Sequence, residues 1–338
     1  MPFETLDEVS KKYIPLIDSK ILEALKGSPE ELYKASAHLI KAGGKRLRPL
    51  IVILTARALG GIEAEARAIP LAVAVEIFHN FTLVHDDIMD NDDFRRGIPT
   101  VHKVYGIPMA ITAGDLMFAM SFLSMFDSLT SGLQEGFVAK SVKVLADAAR
   151  KVAEGQAYDL LFERTWDVGP NDYLTMIYLK TSALIEASAK LGALASQAKD
   201  ELVESMGEFG RLVGLAFQIR DDILGVFGDP AKTGKPVYGD LRRGKKTLLV
   251  MYAASRSEEA RQLLSEVFAG SYDENKLKRT AELIKETGAL DYAEGLANSY
   301  SQLAMERLVT LRKGGYVVDE AAYEALKELA LFSSQREK

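Results

Sequence analysis

One long apolar segment constrains the fold of this chain more than any other feature. Residues 69–85 are mostly apolar, and their apolar and polar side chains do not alternate. A half-buried strand needs that alternation and rarely exceeds about 10 residues, so the segment is predicted to be a helix. Helical patterns recur along most of the sequence, whereas alternating runs of β-branched residues are few. We therefore predict an all-α protein in which residues 1–338 form one domain, because no linker composition divides the chain.

Helix start and stop signals place the other helices. Ser28-Pro29 followed by Glu31 combines an N-cap serine, a proline at the first helical position and a glutamate in the first turn. This helix is predicted to end near Gly43-Gly44. Glycine and proline break the helical pattern at residues 91–106 and 226–246. The remaining predicted helices cover residues 108–128, 138–162, 171–197, 201–224, 247–268 and 274–311.

Two aspartate clusters end apolar helical runs, and each directly precedes one of these breaks. The first is Asp86-Asp87-Ile88-Met89-Asp90 and the second is Asp221-Asp222-Ile223-Leu224-Gly225. Residues four apart share one helix face, so Asp86 and Asp90 are predicted to lie together, with Asp87 turned by about 100°. Facing carboxylates repel each other unless a cation lies between them, and two clusters favour a shared cationic ligand. One cluster by itself is equally consistent with a solvated helix end.

Basic residues accompany both clusters. Lys45, Arg46 and Arg48 follow a glycine pair that lets the backbone approach a ligand closely. Arg95 and Arg96 follow the first cluster, and their planar guanidinium groups suit phosphate oxygens. Other basic residues lie in a helical stretch or in the second break: Lys180, Lys235, Lys245 and Lys246. Carboxylates with cations nearby indicate magnesium that holds a phosphate ester, although each cation alone is more often a solvated charge.

Composition and motif spacing exclude several classes of protein. A formal net charge of -6 argues against a nucleic-acid partner, and the absence of cysteine excludes disulfides and thiolate catalysis and suits the cytoplasm. No signal peptide is recognisable, and no uninterrupted apolar run of about 20 residues predicts a transmembrane segment. Residues 239–246 resemble a P-loop but have Lys246 where Ser or Thr is required. The histidines lack the spacing of a zinc site.

The order of these motifs resembles the trans-prenyltransferases, or polyprenyl diphosphate synthases, most closely the short-chain, archaeal-type geranylgeranyl diphosphate synthases. The resemblance covers nearly the whole chain. The segments that carry it are Gly43-Gly44-Lys45-Arg46-Leu47-Arg48-Pro49, His85-Asp86-Asp87-Ile88-Met89-Asp90 with Arg95-Arg96-Gly97, Gly155-Gln156 with Asp159, Lys180-Thr181, and Phe217-Gln218-Ile219-Arg220-Asp221-Asp222 with Gly234-Lys235.

The resemblance implies a fold, a reaction and an assembly. The fold would be a helical bundle of the isoprenoid synthase type around a deep central cavity, and the protein would be a homodimer or higher homo-oligomer. The reaction would be magnesium-dependent, head-to-tail condensation of isopentenyl diphosphate with dimethylallyl, geranyl or farnesyl diphosphate. Pyrophosphate would be released, and the main product would be geranylgeranyl diphosphate.

The resemblance also implies a role for individual residues. The expected direct magnesium ligands are Asp86, Asp90 and Asp221, supported by Asp87 and Asp222. The residues expected to bind isopentenyl diphosphate are Lys45, Arg48, His79 and Arg96. Those expected to bind the allylic diphosphate are Arg95, Lys180, Lys235 and Lys245. The residues expected to line the reaction centre are Lys180, Thr181 and Gln218.

Product length is expected to depend on the helix that leads to the first cluster. Thr82 and Phe81 lie about one turn before Asp86 and Phe78 about two, and each turn of about 5.4 Å is close to one isoprene unit. In the family that the chain resembles, an aromatic residue at the position of Phe81 with a small one at the position of Thr82 goes with a product of twenty carbons. Farnesyl diphosphate, alone or in a mixture, is the alternative product, and ordinary core packing is the alternative role of both phenylalanines.

One position departs from the family pattern, and two other classes of protein remain to be tested. Many relatives have aspartate where this chain has Gly225, so Asp229 or Asp240 is a candidate to replace it. A class I terpene cyclase would also use aspartate-bound magnesium, but it would not need an isopentenyl diphosphate site. A noncatalytic partner subunit would typically have lost one aspartate cluster, and both are present.

Overall fold

The structure of the protein is a computed structural model that describes residues 4–229 and 237–336. These residues form helices joined by loops, with one short hairpin, which confirms the predicted all-α class. The helices are α1 (Glu4–Ala24), α2 (Glu30–Lys41), α3 (Leu47–Met89), α4 (Val101–Tyr105), α5 (Ile107–Met125), α6 (Asp127–Thr130), α7 (Glu135–Phe162), α8 (Pro170–Ile177), α9 (Ala183–Ala195), α10 (Asp200–Phe227), α11 (Gly239–Arg242), α12 (Leu248–Arg256), α13 (Glu258–Phe268), α14 (Glu274–Glu286), α15 (Ala289–Lys313) and α16 (Glu320–Gln335).

Two further elements interrupt the helices. A π-helical segment, Tyr178–Ser182, connects α8 to α9. The hairpin consists of β1 (Phe94–Arg95) and β2 (Ile98–Pro99), which pair antiparallel so that Arg95 lies opposite Ile98. A left-handed backbone at Arg96 (φ 53°) and at Gly97 (φ 77°) turns the chain between the two strands.

The chain divides into two compact units. Unit 1 comprises Met1–Asp147, Leu184–Gly210 and Leu308–Glu328, and unit 2 comprises Ala148–Ala183, Arg211–Arg307 and Leu329–Lys338. The expectation of a single domain stays a prediction.

The long helix α3 forms the centre of unit 1. Its residues are apolar on nearly all sides, which is typical of a helix buried in a core, and it packs against α1, α2 and α5. Gly61 interrupts α3 with a left-handed φ of 65°, a conformation that glycine adopts at little cost. The first aspartate cluster lies at the C-terminal end of this helix, where Asp90 is the C-cap residue.

Unit 2 has its own hydrophobic core. Helices α8, α12, α13 and α14 contribute to it together with the second half of α10, which carries the second aspartate cluster. Fully buried members include Tyr173, Ile219, Leu248, Leu264 and Leu277. The core therefore fixes the helix on which the cluster lies.

Several predicted helix boundaries were wrong. Ser28 does not cap α2, because Pro29 has an extended backbone (ψ 139°) and is itself the N-cap residue. The helix predicted over residues 171–197 contains the π-helical segment. The helix predicted over 247–268 ends and restarts at Ser257, whose Oγ accepts a hydrogen bond from Ala260 N at 3.1 Å. The helix predicted over 274–311 is divided near Gly288, which has a φ of 77°.

Two described helical segments are long and apolar enough to cross a membrane by length and composition alone. The segments are Leu47–Met89 and Ile107–Thr130. Of the most apolar 18 residues in each segment, 61% and 39%, respectively, are buried within the protein. A buried core helix meets the same criterion, and α3 is such a helix. The absence of a transmembrane segment stays a prediction.

Candidate active site

The first aspartate cluster has one buried carboxylate and two accessible ones. Asp87 is fully buried and accepts hydrogen bonds at Oδ1 from Arg95 Nε at 2.7 Å, while Asp86 is partly buried and Asp90 is exposed. Burial raises the pKa of Asp87, and the guanidinium of Arg95 opposes that rise. The roles that the resemblance implies, with Asp86 and Asp90 as direct ligands and Asp87 in support, stay a prediction. Arg95, expected at the allylic diphosphate, lies against Asp87 and also 3.4 Å from Asp92.

Three of the residues expected at isopentenyl diphosphate, Arg48, His79 and Arg96, lie close together and are partly buried. Arg48 Nη1 is 3.1 Å from His79 Nε2, and Arg96 Nη1 donates to the carbonyl of Leu39 at 2.8 Å. Burial and the nearby arginines hold the pKa of His79 well below its usual range. Burial also lowers the pKa of Arg48 to about 10, and Arg48 Nε is buried without a hydrogen-bond partner. The fourth residue, Lys45, is exposed.

Arg46, in the same basic segment as Lys45 and Arg48, has a structural role. Its side chain is completely buried, and it donates to Asp18 Oδ1 at 2.7 Å and to Glu76 Oε1 at 3.1 Å. Asn80, one turn after Glu76 on α3, donates to the same Glu76 oxygen at 2.9 Å and accepts from Arg96 at 3.3 Å. Glu76 and Asn80 thus hold Arg46 and Arg96 in place. The sequence analysis missed both, although their spacing of four residues on an apolar helix was a usable signal.

Aromatic rings form a cluster between α3 and α5. The ring of Phe81 lies 5.2 Å from that of Phe78, 5.3 Å from that of Phe118 and 4.9 Å from that of His85, measured between centroids. Thr82, next to Phe81, donates a hydrogen bond to the carbonyl of His79 at 2.7 Å. The residues expected to set product length therefore lie in one packed group. Phe118 was missed, because its contact with Phe81 depends on how the two helices pack.

The second aspartate cluster is built around Asp222. This carboxylate is buried and accepts hydrogen bonds from the Tyr173 hydroxyl and from Gln218 Nε2, the latter at 2.9 Å, with Lys245 Nζ at 3.5 Å. Burial raises the pKa of Asp222 to about 6, although Lys245 opposes the rise. Burial acts to lower the pKa of Lys245, but Asp222 and the nearby Asp240 outweigh it and raise the pKa. The supporting role expected of Asp222 stays a prediction.

The π-helical segment presents the residues expected at the reaction centre. Lys180 Nζ donates to Asp159 Oδ2 at 2.5 Å, and Thr181 Oγ1 donates to Gln218 Oε1 at 2.8 Å. Gly155 on α7 permits this arrangement, because a side chain there would lie 2.6 Å from Lys180 Cα. Single π-helical turns are frequent at functional sites. A continuous chain of hydrogen bonds thus joins Thr181, Gln218 and Asp222.

Asp240 occupies the space that a side chain at position 225 would need. A Cβ atom on Gly225 would lie 2.5 Å from Asp240 Cγ and 3.0 Å from its Oδ1. Asp240 is buried, and its carbonyl accepts a hydrogen bond from Lys245 N at 3.0 Å. Of the two acids expected to compensate for Gly225, Asp240 thus lies against this glycine, whereas Asp229 is exposed.

Arg336 contacts the second cluster, and no sequence signal linked the two. Arg336 Nη2 donates to Asp221 Oδ1 at 2.8 Å, although 115 positions separate the residues. Lys246, which lies next to Lys245, is a structural residue that donates to the carbonyls of Phe162 and Glu163 at 2.8 and 3.0 Å. Lys235, expected at the allylic diphosphate, lies outside the described residues.

The carboxylates of α3 and α10 are oxygen ligands of the kind that magnesium prefers. In residues 4–229 and 237–336, no group of three acidic or imidazole side chains is already arranged around one point. Magnesium uses one or two carboxylates and keeps waters or phosphate oxygens for its other positions. Asp87 Oδ2 is buried without a hydrogen-bond partner, so the first cluster also retains an unused acceptor.

Comparison with known proteins gives the family. Residues 29–286 match the polyprenyl synthetase family. A geranylfarnesyl diphosphate synthase of Aeropyrum pernix is 55% identical over 87% of this chain and 92% of that protein. The crystal structure of the geranylgeranyl pyrophosphate synthetase from Pyrococcus horikoshii aligns with a TM-score of 0.90 and 39% identity over 99% of both chains.

A third relative was crystallised with ligands. The polyprenyl synthase of Caulobacter crescentus, complexed with calcium and isoprenyl diphosphate, aligns with a TM-score of 0.86 and 29% identity over 99% of this chain and 98% of that one. This chain belongs to the polyprenyl synthetase family and is a prenyltransferase.

Proposed function

We propose that the protein condenses isopentenyl diphosphate head-to-tail with allylic diphosphates in a magnesium-dependent reaction, with geranylgeranyl diphosphate as the main product. One observation carries the proposal. Arg48 lies 3.1 Å from His79, Arg96 is close enough to lower the pKa of that imidazole, and Arg48 has a buried N–H group without a partner. The two guanidinium groups carry positive charge that suits the oxygens of a diphosphate. The chain's similarity to prenyl diphosphate synthases supports the same assignment.

The residues of the two clusters have different tasks in this reaction. We assign Lys45, Arg48, His79 and Arg96 to isopentenyl diphosphate, and Arg95, Lys180, Lys235 and Lys245 to the allylic diphosphate. Magnesium held by Asp86, Asp90 and Asp221 would neutralise charge on the departing diphosphate. Lys180 and Lys245 neutralise the same charge from the protein side, while Asp87 and Asp222 hold Arg95 and Lys245 in position.

Bond making and breaking need no protein nucleophile. The allylic carbon–oxygen bond breaks with its electron pair going to pyrophosphate, which leaves an allylic cation. The isopentenyl double bond attacks this cation, and the resulting tertiary cation loses a proton, which we assign to the released pyrophosphate. Thr181 and Gln218 line the reacting carbons, and apolar side chains keep water from the cation.

The aromatic cluster supports a product of twenty carbons. Phe81, whose position goes with twenty carbons in the family, packs against Phe78 and Phe118, so its ring is held in place to limit chain growth along α3. Geranylfarnesyl diphosphate, with twenty-five carbons, is the second candidate product, and the name of the Aeropyrum pernix relative favours it. A farnesyl or mixed farnesyl and geranylgeranyl product is the third.

One assay separates these alternatives. The protein is incubated with labelled isopentenyl diphosphate and dimethylallyl diphosphate, with magnesium or with a chelator, and the dephosphorylated products are separated by chromatography. The proposal expects magnesium-dependent label in geranylgeraniol. Label mainly in the twenty-five- or fifteen-carbon alcohol would show that the main product is geranylfarnesyl or farnesyl diphosphate instead. A cyclised hydrocarbon made from an added prenyl diphosphate without incorporation of label would identify a terpene cyclase, and a complete lack of reaction would indicate a partner subunit.

We also propose that the protein is a homodimer. Helix α5 exposes several large apolar side chains, which is unusual for a free surface. They are Ile107, Ile111, Phe118, Leu123 and Phe126. The cytoplasmic location expected from the absence of cysteine stays a prediction.

A further inference from the structure

Arg336 is a buried cation beside a proposed magnesium ligand. Its side chain is 6% exposed and donates from Nη2 to Asp221 Oδ1 at 2.8 Å, whereas the Asp221 side chain remains 33% exposed. A carboxylate has lone pairs in several directions, so it can accept from an arginine on one side and bind an ion on the other. The contact therefore fixes Asp221 without covering it.

Three contacts hold Arg336 itself. Its guanidinium carbon lies 3.7 Å from the centroid of the Phe217 ring, on the turn of α10 before Asp221. Its carbonyl accepts a hydrogen bond from Arg220 Nε at 2.9 Å, and its Nη2 lies 3.5 Å from the carbonyl of Phe217. A buried, stacked guanidinium held by main-chain contacts is a rigid support and does not behave like an exposed, mobile counter-ion.

Three further contacts in the cluster act on a different carboxylate. Tyr173, Gln218 and Lys245 contact Asp222, whereas Arg336 contacts Asp221. Partners that orient a metal ligand without touching the metal commonly change metal affinity 10- to 100-fold when they are removed.

We propose that Arg336 is a positioning residue that orients Asp221 for magnesium in the second cluster. This inference rests on the proposed function, because Asp221 is a magnesium ligand only under that proposal. We expect Arg336 to affect the affinity for the metal and not the identity of the product.

The test measures metal binding and kinetics separately. Binding of Mn²⁺ to the substrate-free protein is followed by electron paramagnetic resonance in an Asp86→Ala background, which removes the first cluster as a competing site. Arg336→Ala is expected to weaken the remaining Mn²⁺ binding about tenfold. In the otherwise unchanged enzyme, Arg336→Ala should raise the magnesium concentration for half-maximal rate by a similar factor, with product length unchanged.

Three further variants separate positioning from a general structural effect. Arg336→Lys retains the charge and should restore part of the affinity. Phe217→Leu removes the ring beneath the guanidinium and should weaken Mn²⁺ binding less than Arg336→Ala does. Arg242→Ala breaks an exposed ion pair with Glu274 and should leave Mn²⁺ binding unchanged. If Arg336→Ala fails to fold, Arg336→Lys and Phe217→Leu still decide the question.

Two outcomes would overturn the inference. Mn²⁺ binding that is unchanged in all Arg336 and Phe217 variants would show that the contact has no part in metal binding. Tighter binding would show that Arg336 competes with the metal. In both cases the parent enzyme still incorporates labelled isopentenyl diphosphate, whereas a parent that does not incorporate it contradicts the proposed function itself.

Discussion

Asp86 and Asp221 have the same proposed role in surroundings that differ. Replacing either residue with Ala should lower turnover by about 100-fold or more, because a metal ligand is lost. Asp86→Ala should leave the fold equally stable, since it also relieves repulsion within the first cluster. Asp221→Ala should cost on the order of 1 to 3 kcal/mol, because it removes the carboxylate partner of the buried Arg336.

Steady-state kinetics at saturating magnesium and thermal denaturation measure the two effects. The matched control is Asp291→Ala, an exposed carboxylate in the first turn of α15, which should be neutral in both measurements. Near-normal condensation by Asp86→Ala or Asp221→Ala would contradict the assigned metal ligands.

His79 should make the folded protein sensitive to acid. Burial and the neighbouring arginines keep its folded-state pKa well below 6.5, whereas the unfolded chain titrates near the usual value. The unfolded state therefore binds a proton first, and stability falls as pH drops below 6.5, by up to about 1.4 kcal/mol for each pH unit until the folded state also titrates. Chemical denaturation at several pH values should show a smaller loss for His79→Gln than for the parent. Equal losses would mean that the folded protein binds this proton as readily as the unfolded chain.

Gly225 should not tolerate even a methyl group. A Cβ atom there would lie 2.5 Å from Asp240 Cγ, and crowding of a buried site typically costs about 1 to 3 kcal/mol. Gly225→Ala should lower the melting temperature and the turnover together, because Asp240 lies next to Asp222 and Lys245. Gly136→Ala is the control, since no atom lies within 4 Å of the added group, and it should not lower stability. An unchanged melting temperature in Gly225→Ala would mean that Asp240 can move without cost.

At the scale of elements, the spacing of residues within one helix was predictable and contacts between helices were not. The positions of Asp86, Asp87 and Asp90 follow from helix geometry, and the structure agrees with them. The contact of Arg336 with Asp221 spans 115 positions and depends on how α16 packs, which no local pattern records. The π-helical segment was also missed, because a helix propensity does not distinguish a π turn from an α turn.

Residues that share a motif also had different roles. Arg46 and Arg48 are two positions apart in one basic segment, yet Arg46 is buried in ion pairs while Arg48 lies beside His79. Residue type alone does not show which of these two arginines is buried in ion pairs and which lies beside His79. Arg46 has a left-handed backbone (φ 48°), and its side chain contacts Asp18 and Glu76.

The packing of α3 against α5 should set product length. Phe81→Ser would remove the ring that contacts Phe78 and Phe118, and the main product should lengthen to twenty-five carbons or more. Thr82→Phe should shorten it to fifteen carbons, because it adds a second ring at the same depth. Chromatography of dephosphorylated products measures both changes. Phe137→Ser on α7, outside the cluster, should leave the product unchanged, and an unchanged length in both test variants would refute this role of α3.

At the scale of the whole molecule, the exposed apolar side chains of α5 and its C-cap should bind a second copy. Leu123 is 59% exposed, so Leu123→Arg should cost the monomer little and should weaken the dimer by placing a charge in the interface. Sedimentation velocity should show a shift toward the monomer. Leu303→Arg, on an exposed position of α15, is the control and should sediment like the parent. A Leu123→Arg protein that remains fully dimeric would exclude this surface.

The aromatic cluster of α3 and α5 has a consequence for how such enzymes evolve. The rings that would limit product length carry no charge and make none of the ion pairs that hold Arg95, Lys180 or Lys245. Substitutions among these rings should therefore change the length of the lipid product without changing the residues that would ionise the allylic diphosphate. Product length can then drift by single substitutions, and relatives of high overall identity need not share a product.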